Sequence, residues 1–187
     1  MLVEALDRTA TLLVVDVQAL TLPNARSVPS GDLLERIGQL TDGFRRTGRP
    51  VAYAITTGMR GGRTDRRTPA RSWPEDALSV PDVIGARAGE VCYERTGWSA
   101  FSGTNLVADL RRRRSTQLVV TGLATSFGVE STVRAGYDLG FDLVVPVDAV
   151  SDPDAASHEQ SVTHVFPLLA ETTSTEMVLR LLADPGA

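Results

Sequence analysis

Residues 117–131, QLVVTGLATSFGVES, compress a strand, a sharp turn and a helix start into one segment, and they constrain the fold more than any other stretch. Leu118, Val119 and Val120 form a short apolar β-branched run closed by Thr121 and Gly122, the pattern of a parallel strand covered on both faces. The helix predicted over 129–139 stops at Gly140, which suits a left-handed C-terminal cap. A strand that passes through a small-residue loop into a helix sets backbone N–H groups and the positive end of a helix dipole beside a pocket. A nucleophile is well placed there, but the residue is Gly128, which has no side chain.

The same alternation runs through the chain. A buried strand is expected over 11–17, with an aspartate near its end, then a helix from Ser30 as N-cap to about 47, stopped by Gly48. Leu33, Leu34, Ile37, Leu40 and Phe44 recur there at helical spacing. Strands follow over 51–55 and 90–93, a helix capped by Thr104 over 104–114, and a strand over 143–147. A helix over 155–165, a short strand over 168–172 and a helix over 175–182 complete the chain. Alternating strands and helices imply an α/β fold with a mainly parallel sheet covered on both faces. A length of 187 residues suits a single domain, 1–187. Residues 57–81, rich in Gly, Arg, Pro and Thr, read as a functional loop, a lid or a partner contact.

Composition narrows the chemistry. A net charge of −4 gives no reason to expect nucleic acid or an anionic membrane as partner. All 19 basic residues are arginine, so Schiff-base chemistry and a catalytic lysine are excluded. The single cysteine, Cys92, excludes an internal disulfide and a cysteine-rich zinc site. With no N-terminal signal pattern and no apolar run of about 20 residues, a cytoplasmic location is expected.

In parallel sheets ligands bind beyond the carboxyl ends of the strands. The polar residues there are Asp16, Thr56, Thr57, Arg95, Thr121 and Asp148. Asp16 follows four apolar residues, so it reads either as a desolvated acid with a raised pKa or as a carboxylate that caps a loop. Arg95 reads either as its counter-charge or as a surface arginine. Cys92 alternates with Val91 and Tyr93 inside a strand and is expected to be a packed thiol. His158 and His164 lie six apart, too far for a paired metal site, and no metal is expected. Trp98 and Phe101 read as core or pocket wall, and Arg63 with its neighbours either as contacts for an anionic substrate or, in the plainer reading, as a solvated loop.

The segments LLVVDVQ (12–18), RTGWSAFSGTNL (95–106), VVTGLATSFGVESTVRAGYDLGF (119–141) and VDAVSD (147–152), in this order, resemble the isochorismatase-like hydrolase superfamily. The resemblance implies a Rossmann-like three-layer αβα sandwich with a six-stranded mainly parallel sheet, and a homo-oligomer, dimer or higher. It also implies a site built from an aspartate, a lysine and, in most members, a nucleophilic cysteine. Asp16 matches the aspartate, Arg95 stands where the lysine is expected, and Gly128 stands where the cysteine is expected. The thioester route of the nicotinamidases and N-carbamoyl amidases is then closed. The isochorismatases similarly lack that cysteine and rely on an aspartate that protonates a vinyl-ether carbon.

The resulting expectation is a hydrolase that acts without a cysteine or a cofactor on a small carboxylated substrate, with isochorismate as candidate. Asp16 is the expected acid/base, Arg95 its electrostatic partner, and the Gly128 loop an anion-binding element. Thr125, Ser126, Phe127 and Trp98 are the expected substrate contacts. Two alternatives stay open: a catalytically silent relative that binds a small molecule or serves in assembly, and a small-amide hydrolase that activates water.

Overall fold

The structure, a computed structural model, describes residue 3 and residues 5–183. Its elements in chain order are β1 (Thr11–Val15), α1 (Ser30–Arg46), β2 (Val51–Thr56), β3 (Gly58–Met59), β4 (Arg71–Ser72) and β5 (Val91–Arg95). There follow α2 (Leu106–Arg112), β6 (Gln117–Leu123), α3 (Glu130–Asp138), β7 (Asp142–Pro146), β8 (Val150–Ser151), α4 (Ala155–Gln160), β9 (Glu171–Thr173) and α5 (Thr175–Ala183). The main sheet is parallel in every pairing, in the order β5-β2-β1-β6-β7-β9, with the two-residue β8 as a seventh strand beside the end of β6.

The period of two along β1 sorts its side chains into two cores. Leu12 and Val14 join Leu33, Ile37, Leu40 and Phe44 of α1 and Val178 and Leu182 of α5 on one face. Leu13 and Val15 join Leu106 and Leu110 of α2, Val133 of α3 and Phe166 on the other. The four α1 side chains are fully buried, each contributing about 1.5–3 kcal/mol relative to exposure. The result is the three-layer αβα arrangement. Among the described residues no helix is long and apolar enough to cross a membrane.

β1 lies at the centre, paired with β2 through Val15↔Ala54 and with β6 through Val15↔Gly122. The second contact depends on glycine: Gly122 has φ +119°, and a Cβ there would stand 2.0 Å from the Val15 carbonyl oxygen. This close approach draws the ends of β1 and β6 together, and the ends of β2 and β5 complete the same edge.

Several local expectations are revised. β1 stops at Val15 because Asp16 takes a left-handed conformation, φ +50°, and leaves the ladder. Ser30 is the first residue of α1, and the cap position is Pro29. The helix expected over 155–165 is α4 followed by a wider turn, Ser161–Val165. The strand expected from 168 begins at Glu171, and Leu168 is 78% exposed in the turn before it. Cys92 is exposed, because β5 is an edge strand and Val91, Cys92 and Glu94 are left uncovered along it. The expected packed thiol is thereby corrected.

Candidate active site

Asp16 is 6% exposed and Arg95 4% exposed, and they meet beyond the ends of β1 and β5. Nη2 of Arg95 donates to Oδ2 of Asp16 at 2.6 Å, and its Nη1 donates to the carbonyl of Gly97. The backbone N–H of Asp16 donates to the Ala54 carbonyl at 2.8 Å, so β2 holds the residue in place after it departs from β1. Oδ1 of Asp16 and Nε of Arg95 are both buried without a partner. Burial pushes the Asp16 carboxyl up from 3.8 to about 6, against the opposing charge and hydrogen bond of Arg95.

Gly128 faces this pair. A Cβ added to it would lie 2.9 Å from Oδ2 of Asp16 and 3.0 Å from the Leu123 carbonyl oxygen. The loop that carries it follows a cis peptide bond between Leu123 and Ala124 and turns through Thr125–Val129 into α3. Its amides are largely engaged. Ser126 N–H donates to Asp152 at 2.8 Å, while the Phe127 and Val129 amides both donate to the Ala124 carbonyl at 3.1 Å. Asp152, 1% exposed, also accepts the Ser126 hydroxyl at 2.8 Å. A carboxylate of the chain therefore already answers this end of the turn, and the positive charges on the cavity wall are those of Arg95 and Arg60.

The four expected contacts divide. Phe127 and Trp98 line the cavity in front of Asp16, with ring centroids 4.9 Å apart. Thr125 and Ser126 are not on its wall. Thr125 is fully buried with Oγ1 2.9 Å from Nδ1 of His158, and the Ser126 side chain is held by Asp152. Of the rim residues named from the strand ends, Asp16, Thr56 and Arg95 reach the cavity, whereas Thr57, Thr121 and Asp148 do not. Asp148 instead accepts the Thr175 amide at 2.8 Å at the start of α5.

The cavity has a volume of about 690 Å³, within the roughly 300–1,000 Å³ of small-molecule sites. Residues 57–81 form one of its walls. β3 and β4 pair antiparallel there as a small flap, and Met59, Arg60, Thr64, Thr68 and Trp73 face the cavity. Sequence reasoning passed over Trp73. Its signal was present, a tryptophan in an otherwise polar loop, but no periodicity connected it to the strand ends. Among the described residues no group of three or more His, Cys, Asp or Glu side chains is placed to hold a metal ion.

Comparison with known proteins agrees with this geometry. The family described as Isochorismatase domain matches residues 10–177. The chain is 34% identical over 183 residues to the uncharacterized isochorismatase family protein YecD of Escherichia coli O157:H7, covering 94% of this chain and 97% of that protein. It is 25% identical over 161 residues to an N-carbamoylsarcosine amidase of Arthrobacter, covering 80% of this chain and 61% of the amidase. An isochorismatase family protein structure from Burkholderia thailandensis superposes with a TM-score of 0.87 at 30% identity, over 96% of this chain and 98% of that one. A family model spanning residues 10–177 and a 34% identical relative covered nearly end to end place the chain: it belongs to the isochorismatase family of hydrolases.

Proposed function

We propose that the chain hydrolyses a small carboxylated molecule by acid catalysis from Asp16, without a cysteine nucleophile. The observation that carries this reading is the half-partnered carboxyl of Asp16: Oδ2 accepts from Arg95 at 2.6 Å, and Oδ1 is buried with no partner. Arginine only donates, so the proton of the neutral carboxyl resides on Oδ1. With a pKa of about 6, about a tenth of the carboxyl is protonated at pH 7, enough for a general acid.

On a vinyl ether such as isochorismate, Oδ1 delivers its proton to the terminal vinyl carbon, and the double-bond electrons form the new C–H bond. The resulting oxocarbenium ion lies beside the Asp16 carboxylate. Water adds to it and returns a proton to Asp16, and the hemiketal collapses to pyruvate and the ring alcohol. Arg95, on the wall of the same cavity, supplies the positive charge that favours a substrate carboxylate at this end. Thiol chemistry has no support: a side chain at 128 is absent, and partial desolvation, with the Glu94 charge adding to it, pushes the exposed Cys92 up to about 11.

Pyruvate release from isochorismate, followed through a coupled assay for the native chain and Asp16→Asn, tests the reading. Release by the native chain alone is expected. Absence of release from both excludes this substrate, and ligand binding without turnover then identifies a silent relative. A second reading, attack of water on a small amide with Asp16 as base, is favoured by the relatives named N-carbamoylsarcosine amidase and streptothricin hydrolase. The two differ in sign: acid catalysis fades above pH of about 6, and base catalysis rises through it. The homo-oligomer implied by the resemblance is tested by light scattering, where a mass near 20.0 kDa overturns it.

A further inference from the structure

The turn over 125–129 closes one side of the Asp16 carboxyl. Gly128 stands so near that a Cβ on it would lie 2.9 Å from Oδ2 and 3.3 Å from Cγ1 of Val15. Glycine brings no side chain to hold that position, so the turn is fixed from outside. One holder is Asp152, directly after β8, which accepts the Ser126 amide and hydroxyl through Oδ2 and the Asp154 amide through Oδ1 at 3.0 Å. Asp154 in turn caps α4, accepting the Ala156 amide at 3.2 Å and the Ser157 hydroxyl at 2.8 Å. One carboxylate thus joins the start of α4 to the turn, and this sets His158 of α4 against Thr125.

Thr125 is fully buried, and among the described residues the side-chain partner of its hydroxyl is Nδ1 of His158 at 2.9 Å. A buried hydroxyl left unpaired is costly, so the pair resists separation. His158 itself is half-buried and is not among the residues lining the cavity. Burial holds its imidazole below the usual 6.5, against the charges of Asp152 and Glu159, so it is neutral at pH 7. A hydroxyl donates or accepts, so the tie has a partner in both charge states of the ring. Glu130, at the start of α3, is engaged elsewhere, by the Ser161 hydroxyl at 2.7 Å and by Arg134 at 2.9 Å.

We propose that His158 is a positioning residue for Asp16: through Thr125 it holds the Gly128 turn against the carboxyl and keeps water from that side. This rests on the acid role given to Asp16 above and adds the device that keeps the acid dry. Without the tie the turn moves outward, water reaches Asp16, and the carboxyl titrates closer to its ordinary 3.8. A fall of about 1 pH unit leaves an about tenfold smaller protonated fraction at pH 7, and turnover falls with it. At pH of about 4 the carboxyl is mostly protonated with or without the tie, and the deficit closes. A loss of general structural integrity would instead lower turnover at every pH.

The test follows the Asp16 carboxyl by carbon-13 NMR, its resonance assigned by its loss in Asp16→Asn. The midpoint is expected at about 6 in the native chain and about 1 unit lower in His158→Ala and in Thr125→Val. His158→Asn is expected to restore it, because the asparagine amide reaches about as far as Nδ1 and either accepts or donates. Pyruvate release at pH 7 is expected to fall about tenfold in the first two variants, through kcat rather than KM, and to return in the third. An unmoved midpoint in His158→Ala overturns the proposal, as does a midpoint equally lowered in His158→Asn or a turnover deficit equal at pH of about 4 and 7. The two readings fail separately: pyruvate release with unmoved midpoints overturns this inference alone, and a lowered and restored midpoint without release from any of the proteins overturns only the catalytic reading.

Discussion

A Cβ on Gly128 would stand 2.9 Å from Oδ2 of Asp16, closer than non-bonded atoms tolerate, so the Asp16 carboxylate occupies the space a side chain would need. The Leu123 carbonyl at 3.0 Å closes the other side, and backbone cannot rotate away as a side chain can. Gly128→Ala is expected to lower stability by about 1–3 kcal/mol through overpacking and to reduce turnover by displacing Asp16. Thermal unfolding and the pyruvate assay measure both. Gly128→Cys meets the same obstruction without a lysine in the site, and rapid ammonia release from nicotinamide by that variant would contradict this account.

The pH dependence has a defined sign. The Asp16 carboxyl titrates at about 6 in the folded chain against 3.8 when free, so the folded state holds the proton more tightly. Its contribution to stability is fully present below pH of about 4 and is lost as pH rises through about 6, amounting to about 3 kcal/mol for a shift of roughly two units. The difference in thermal midpoint between the native chain and Asp16→Asn is expected to change between pH of about 4 and 6 and to be flat above about 7. For the same acid, kcat/KM is expected to be flat below pH of about 6 and to fall towards a tenfold loss per pH unit above it.

Arg95 tests the electrostatics separately. Its guanidinium engages Asp16 and the Gly97 carbonyl through two nitrogens at once, a fork that a single ammonium does not reproduce. Arg95→Gln removes the charge that holds the Asp16 carboxyl down, and the midpoint of the pH–rate profile is expected to move up by about 1 unit or more. Arg95→Lys keeps most of that midpoint while lowering kcat/KM. A profile that does not move in Arg95→Gln would show that another group controls the titration.

The flap carries charge opposite to the rest of the chain. Arg60, Arg63, Arg66, Arg67 and Arg71 stand exposed around the single acid Asp65, in a protein of net charge −4. Such a collar steers an anionic substrate towards the cavity and is screened by salt over a length of about 10 Å at 0.1 M. For a carboxylated substrate, kcat/KM is expected to fall with ionic strength. The triple variant Arg63→Gln, Arg66→Gln and Arg67→Gln is expected to flatten that dependence with kcat unchanged. Stopped-flow binding at several salt concentrations provides the check.

The parts of the fold that sequence reasoning reached are those written in long periodic runs. The apolar strands β1, β2, β6 and β7 and the face of α1 follow from β-branched runs and helical spacing, because burial on both sides of a parallel sheet demands them. The two-residue strands β3, β4 and β8 carry no period and were invisible. Cys92 shows a related limit: alternation within β5 says which residues share a face, but not that the face lies on an uncovered edge. At the site, the ion pair of Asp16 and Arg95 was legible as a buried aspartate with one cation at another strand end on the same rim. That the Ser126 amide would be claimed by Asp152, and that Trp73 would reach the same cavity from the flap, depended on contacts between distant segments with no local mark.

The central placement of β1 bears on when the site comes into being. Asp16 and Arg95 are 79 residues apart, and Gly128 lies farther still along the chain. None of the three is brought to the others by a local turn. They converge only when β1 is seated between β2 and β6, long-range parallel pairings whose loop closure makes them slow. A nascent chain therefore has no acid site until Gly128 has left the ribosome, and after dilution from denaturant, regained turnover lags behind regained helix content.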